Sequence, residues 1–435
     1  MEENKNIVKE YGETRRAVLC GVFPQGSEIA ASSSLDELEA LLSTAGGEAS
    51  FRVTQSRDLP DKKTVFGKGK IEELKLLCEN EKIDFVIFDA ELSPSQIRDI
   101  EEALGGDVDV IDRSMLILDI FALHAKTAEG RLQVELAQLK YTAPRIRGKG
   151  KSMSRLGGSA AGSIGSRGPG ETKLELDKRR IRERTANLED KIAKLAERRE
   201  VTRNARDRAG MKKVGIVGYT NAGKSTLLNC LTSAGILAED KLFATLDTTT
   251  RKFSLPEGTD ILLTDTVGFI NKLPHHLVDA FRSTLDEAFY SDVLLIVSDV
   301  SDPECEMKLD ITLETLRELG AGNKPKLFVF NKSDKADRDK IETLKRFGQG
   351  DEQCVFISAL TGYGIEELVD KLGKLVNAGK RKITCRLSQS DGAIMNLIYR
   401  EADSVSTDYR ENEVICTAVV DEKLYGRLTP YIIEE

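Results

Sequence analysis

Eight residues constrain this chain more than any others: Gly218-Tyr219-Thr220-Asn221-Ala222-Gly223-Lys224-Ser225, set between an apolar run at 214–217 and a helix-like segment opening near Lys224. A glycine-rich turn that leaves a strand and enters a helix makes a phosphate cradle. Glycine lets backbone N–H groups turn inward, and the helix N-terminus adds the positive end of its dipole. Lys224 is expected to neutralise β- and γ-phosphate oxygens, Ser225 to ligate Mg2+, and Thr226 to complete the phosphate contacts. Such a unit needs a parallel sheet around its strand, and apolar runs at 261–263, 293–297, 327–330 and 355–357 supply the neighbours. The predicted fold class is α/β, with a doubly wound sheet spanning 211–379.

Three further segments follow strands of that sheet. Asp265-Thr266-Val267-Gly268 places a carboxylate to hold Mg2+ through water and a glycine N–H to meet the γ-phosphate. Asn331-Lys332-Ser333-Asp334 brings a carboxylate that can accept from guanine N1–H and its exocyclic amino group. Adenine offers neither donor, so Asp334 would be left unpaired against it at a cost of about 1–3 kcal/mol. Ser358-Ala359-Leu360 supplies a backbone contact to the guanine oxygen. The set implies binding of GTP and GDP in a Ras-like P-loop G domain, and hydrolysis with catalytic roles at Lys224, Thr245, Asp265 and Gly268. Thr245 is the preferred switch ligand for Mg2+, with Thr248, Thr249 and Thr250 as rivals. Where Ras-like proteins carry a water-orienting glutamine, this chain has Phe269, so turnover of the isolated protein should be slow. Asn221 matches an asparagine that potassium-activated relatives use, making K+ a second candidate cofactor.

With 435 residues the chain is too long for one ordinary domain. Residues 1–143 alternate β-rich and helical runs and read as an N-terminal α/β domain with the start of a helical pair. Ser93, Pro94 and Gln96 sign a helix start. Residues 144–170 form a glycine-rich basic loop, 171–210 a long charged helical segment pairing with a helix at 131–140, and 380–435 a small C-terminal α+β domain. No apolar run approaches the ~18–20 residues a membrane span needs. The seven cysteines never form a CxxC pair, which favours reduced thiols, a cytoplasmic location and no zinc site. The net charge of −8 opposes nucleic-acid binding overall, yet 145–170 holds Arg145, Arg147, Lys149, Lys151, Arg155 and Arg167 with no Asp or Glu.

Together with 112–121, 129–139, 154–158, 167–173 and 265–270, these motifs resemble the HflX family of GTPases over nearly the whole chain. The resemblance implies an N-terminal α/β domain, a helical pair, a Ras-like G domain, association with the large ribosomal subunit, and dissociation or rescue of stalled or idle ribosomes under stress. The glycine run at 158–165 is longer than the family pattern. Under this resemblance the six basic residues are candidate contacts to ribosomal RNA. The alternative is a GTP-regulated RNA-remodelling protein acting off the ribosome; a nucleotide-dependent scaffold is a third reading. His275 and His276 read as an exposed helix start rather than a metal site, and Gly67-Lys68-Gly69-Lys70 as a helix opening too generic to assign. The chain is taken as a monomer.

Overall fold

The computed structural model describes residues 15–434 except 107, 149–172, 209–210, 233–241, 244–248, 273–288, 337–339, 343, 345–352, 389–390, 403 and 411–412. The chain divides into two compact units. The first takes in Met1–Arg199, Asp240–Asp247 and Lys272–Ser283, and the second Glu200–Glu239, Thr248–Asn271 and Thr284–Glu435.

In the first unit, strands β1 (Arg16–Phe23), β2 (Glu48–Ser56), β3 (Phe85–Phe88) and β4 (Asp109–Asp112) form an all-parallel sheet of order β2-β1-β3-β4. The Phe-Val-Ile-Phe run of β3 is buried throughout, as a strand covered on both faces must be. Helices α1 (Glu28–Thr44), α2 (Lys68–Glu81) and α3 (Pro94–Leu104) connect the strands. The anticipated capping box is present: Gln96 N–H donates to Ser93 Oγ at 3.2 Å and Ser93 N–H to Gln96 Oε1 at 2.9 Å. Helix α4 (Arg113–His124) starts from Asp112, whose carboxylate accepts Met115 N–H at 2.9 Å.

Helix α5 (Ala128–Thr142) and the long α6 (Lys173–Arg208) form the expected pair. Arg184 bridges to Glu135 at 2.7 Å and Lys140 to Glu189 at 2.8 Å, while Leu188 is fully buried. One RNA-contact candidate departs from expectation. Arg145 is turned inward: Nη2 donates to Leu92 O at 2.8 Å, Nη1 donates to Tyr141 O, and the guanidinium lies 3.3 Å from the Tyr141 ring centroid. A cation whose two ends are taken up by its own domain serves as a tether, and the basic loop's charge begins after it.

The second unit holds β5 (Lys212–Gly218), β6 (Thr249–Ser254), β7 (Asp260–Asp265), β8 (Val293–Asp299), β9 (Lys326–Asn331) and β10 (Cys354–Phe356). Their order is β10-β9-β8-β5-β7-β6, parallel except for β6. From β5 the chain first builds towards one edge and then towards the other, so the crevice lies at the carboxyl end of β5 between β7 and β8, where such sheets bind ligands. Helices α7 (Lys224–Thr232), α8 (Cys305–Glu318) and α9 (Ile365–Val376) cover it, and Val214, Ile216, Leu263, Leu295 and Val329 centre its core. A third, antiparallel sheet of order β12-β13-β11-β14 comprises β11 (Lys380–Ser388), β12 (Ser404–Tyr409), β13 (Glu413–Asp421) and β14 (Ile432–Glu434). With α10 (Gly392–Glu401) and α11 (Glu422–Leu428) it makes the α+β appendage. All seven cysteines are free, and no described helix is long and apolar enough to cross a membrane.

Candidate nucleotide site

The cradle is set by two glycines that no other residue could replace without displacing a neighbour. At Gly218, φ is +153° and an added Cβ would lie 2.1 Å from Val297 O; at Gly223, φ is +90° and a Cβ would lie 2.2 Å from Asn331 Nδ2. The turn between them ends at the N-terminus of α7, where free backbone N–H groups collect. Lys224 is buried, and its Nζ donates to Tyr219 O at 2.7 Å. Burial lowers its ammonium pKa to about 8, partly countered by the Asp265 carboxylate. A lysine desolvated in this way gains when polyphosphate oxygens surround it.

Ser225 Oγ donates to Asp265 Oδ2 at 2.7 Å, joining the P-loop helix to the end of β7, and Asp265 is fully buried. A hydroxyl and a carboxylate in contact are hard oxygen donors, of the kind Mg2+ takes when phosphate oxygens and water fill its other positions, so the residues fit that ion. Among the described residues no group of three or more His, Cys, Asp or Glu forms an alternative metal cage. Gly268 lies against the cradle: a Cβ there would meet Lys224 Nζ and Thr220 Cα, each at 2.8 Å.

At the base end, Asn331 is buried and works in two directions, donating from Nδ2 to Ala222 O at 2.9 Å and accepting Ala359 N–H on Oδ1 at 3.0 Å. It therefore ties the P-loop to the 358–360 segment. Lys332 sits at φ +60° and pairs with Asp299 at 2.7 Å. Asp334 is exposed and, with Ser358 and Tyr363, lines a cavity of about 760 Å3. Ser358 is buried and its segment is closed by Ser358 N–H donating to Tyr363 O at 3.0 Å. Leu360 is exposed.

Thr250 Oγ1 contacts Thr264 Oγ1 at 3.0 Å inside the β6–β7 ladder, which engages that hydroxyl in the sheet, whereas Thr249 stands opposite Asp265. Thr245 and Thr248, the side chain of Arg147, and Lys149, Lys151, Arg155, Arg167, His275 and His276 lie outside the described residues. Two linkages had no signal in the sequence. One is the Asn331 brace; the other is Tyr219 Oη, which accepts Asn271 N–H at 2.6 Å across 52 positions.

A doubly wound sheet, a cradle on its first strand, a lysine and an oxygen pair at the phosphate end and a carboxylate at the base end define a P-loop guanine-nucleotide-binding protein. Family models agree along the chain: GTP-binding GTPase N-terminal over 32–122, GTP-binding GTPase Middle Region over 124–206, and 50S ribosome-binding GTPase over 213–332. The chain is 48% identical to the GTPase HflX of Lacrimispora saccharolytica, covering 96% of this chain and 97% of that one. It is 38% identical to the GTPase HflX of Escherichia coli, over 93% and 92% respectively. A GTP-binding protein from Sulfolobus solfataricus, solved with GDP, is 30% identical, covering 83% of this chain and 99% of that one with a TM-score of 0.42. The chain belongs to the HflX family of GTPases and is a GTP hydrolase.

Proposed function

We propose that this GTPase binds the large ribosomal subunit and that its GTP-bound form dissociates or rescues stalled or idle ribosomes in the cytoplasm. The observation that carries the dependence on a partner is Phe269. Its ring is 1% exposed, and its backbone is paired with the P-loop through Thr220 N–H to Phe269 O at 2.8 Å and Phe269 N–H to Gly218 O at 3.1 Å. A residue so fixed presents no polar group to an attacking water, and the group that orients it must come from elsewhere. The ribosome-binding description of the model matching 213–332 and the acid-free basic run at 145–170 support a ribosomal partner.

In this reading the P-loop amides and Lys224 hold the β- and γ-phosphates, and Gly268 N–H meets the γ-phosphate. Ser225 and Asp265 would hold Mg2+, with Thr245 as the switch ligand, and the ion would offset the negative charge that develops on the phosphates. Asp334 and the backbone of the Ser358-Ala359-Leu360 segment select guanine. Lys149, Lys151, Arg155 and Arg167, with Arg147, contact RNA. Asn221, exposed at φ +60°, is the residue for K+.

The test is steady-state GTP turnover of the purified protein alone, with large subunits, with whole ribosomes and with an equal mass of protein-free RNA, in K+ and in Na+. Stimulation by large subunits but not by RNA is the expected result. Equal stimulation by naked RNA would move the weight to RNA remodelling off the ribosome, and none at all to a nucleotide-dependent scaffold.

A further inference from the structure

The pairing of β5 with β7 does not stop where the strands end. Thr266 N–H donates to Ile216 O at 3.2 Å, its hydroxyl to the same oxygen at 2.8 Å, and Tyr219 and Phe269 form a parallel bridge beyond them. The final contact is made by a side chain: Tyr219 Oη accepts Asn271 N–H at 2.6 Å. The stretch 266–271 is thus held at its start by Thr266, in the middle by Phe269 and at its end by the Tyr219 hydroxyl. Gly268 lies within it, packed against Lys224 and Thr220.

Tyr219 is suited to hold this turn in place. It is 7% exposed, Lys308 Nζ of α8 stands 5.4 Å from its ring centroid, and its carbonyl receives Lys224 Nζ. One residue therefore touches both groups that face the terminal phosphate: the lysine through its backbone and the glycine turn through its hydroxyl.

We propose that Tyr219 is a positioning residue for GTP as distinct from GDP, its hydroxyl fixing the 268–271 turn so that Gly268 N–H is presented to the phosphoryl group that only GTP carries. The inference rests on the assignment of Gly268 to the γ-phosphate. Bonds that hold the cradle itself serve both nucleotides, whereas a bond that holds only this turn serves the triphosphate, which separates a positioning role from a structural one.

The experiment compares Tyr219→Phe with the parent chain for affinity to GDP and to a non-hydrolysable β,γ-imido analogue of GTP, and for single-turnover hydrolysis of GTP. Phenylalanine keeps the ring, and GDP affinity doubles as the test of folding. One hydrogen bond lost between neutral groups predicts roughly a fivefold to tenfold loss of analogue affinity with GDP within about twofold, and a slower single turnover. Equal weakening for both nucleotides, or no weakening for either, overturns the inference. Gly268→Ala is the companion variant. If it spares the analogue, the γ-phosphate assignment itself fails; if it is analogue-selective while Tyr219→Phe is not, only the role of Tyr219 falls.

Discussion

The molecule contains two parallel sheets that both gather polar residues at their carboxyl ends, and they treat those residues in opposite ways. In the first unit Asp89 follows β3 and Arg113 follows β4. Arg113 Nη1 donates to Asp89 Oδ1 at 2.7 Å, Nη2 pairs with Glu37, and Asp89 also accepts from Ser34. Arg113 is 2% exposed, and the two carboxylates hold its pKa above the ordinary arginine value against the opposing effect of burial. Asp112 beside it is likewise consumed, accepting Leu92 N–H at 2.9 Å as well as Met115 N–H. In the second unit the carboxyl end of β5 carries two glycines and a desolvated lysine whose Nζ donates to a backbone carbonyl, that of Tyr219. Chemistry-bearing side chains at a strand end do not by themselves make a site. What distinguishes the second sheet is backbone left open by glycine and a charge awaiting its partner.

The largest effect should come from breaking the closed network. Asp89 also pairs with Lys272 at 2.6 Å, so Arg113→Ala leaves it one cation instead of two, and equilibrium chemical denaturation should record a loss of about 3 kcal/mol from the transition that reports the first unit. A loss below about 1 kcal/mol would mean that Lys272 alone balances the buried carboxylate and that the two sheets differ less in how tightly they bind their polar groups.

Next in size is the base end of the open site. Asp334→Asn replaces one acceptor oxygen by a donor NH2, so the guanine exocyclic amino group loses its acceptor while a ring carrying an acceptor in its place gains a donor. GTP affinity should fall by about 1–3 kcal/mol, and competition assays should show xanthosine triphosphate overtaking GTP. Unchanged preference would remove Asp334 from base recognition.

A smaller effect sharpens the contrast in charge. The Lys224 pKa is lowered to about 8, and phosphate oxygens favour its protonated form, so nucleotide binding is coupled to proton uptake above that pH. GTP affinity should be level below pH 8 and fall as pH rises through it, by up to about tenfold per unit. The pH series should be run by equilibrium binding, since turnover would mix in other groups. A flat profile from pH 7 to 9 would show that the lysine is already charged without ligand.

The same contrast explains what could be read from the sequence. Central strands such as β3, β8 and β9 appear as unbroken apolar runs because both faces are buried, and the cradle appears because only glycine tolerates its backbone. The edge strands β2 and β6 leave no such run. In β2 only Val53 is buried and β6 has no buried residue, so neither carries a hydrophobic period. Composition places Arg145 with the basic loop, yet α5 and the loop before α3 reach it only after folding. The Asn331 brace and the Tyr219 hydroxyl are invisible for the same reason, since each joins segments whose proximity is created by the sheet.

On this reading one cradle, on β5, holds the GTP that the chain hydrolyses. Titration calorimetry of GTP with Mg2+ into the parent chain and into Lys224→Ala tests it most directly. The expected result is one GTP per parent chain and a loss of affinity on the order of 10- to 100-fold in the variant, the scale of a hydrogen-bonded charge removed. Undiminished binding by Lys224→Ala would contradict it and place the GTP elsewhere in the chain.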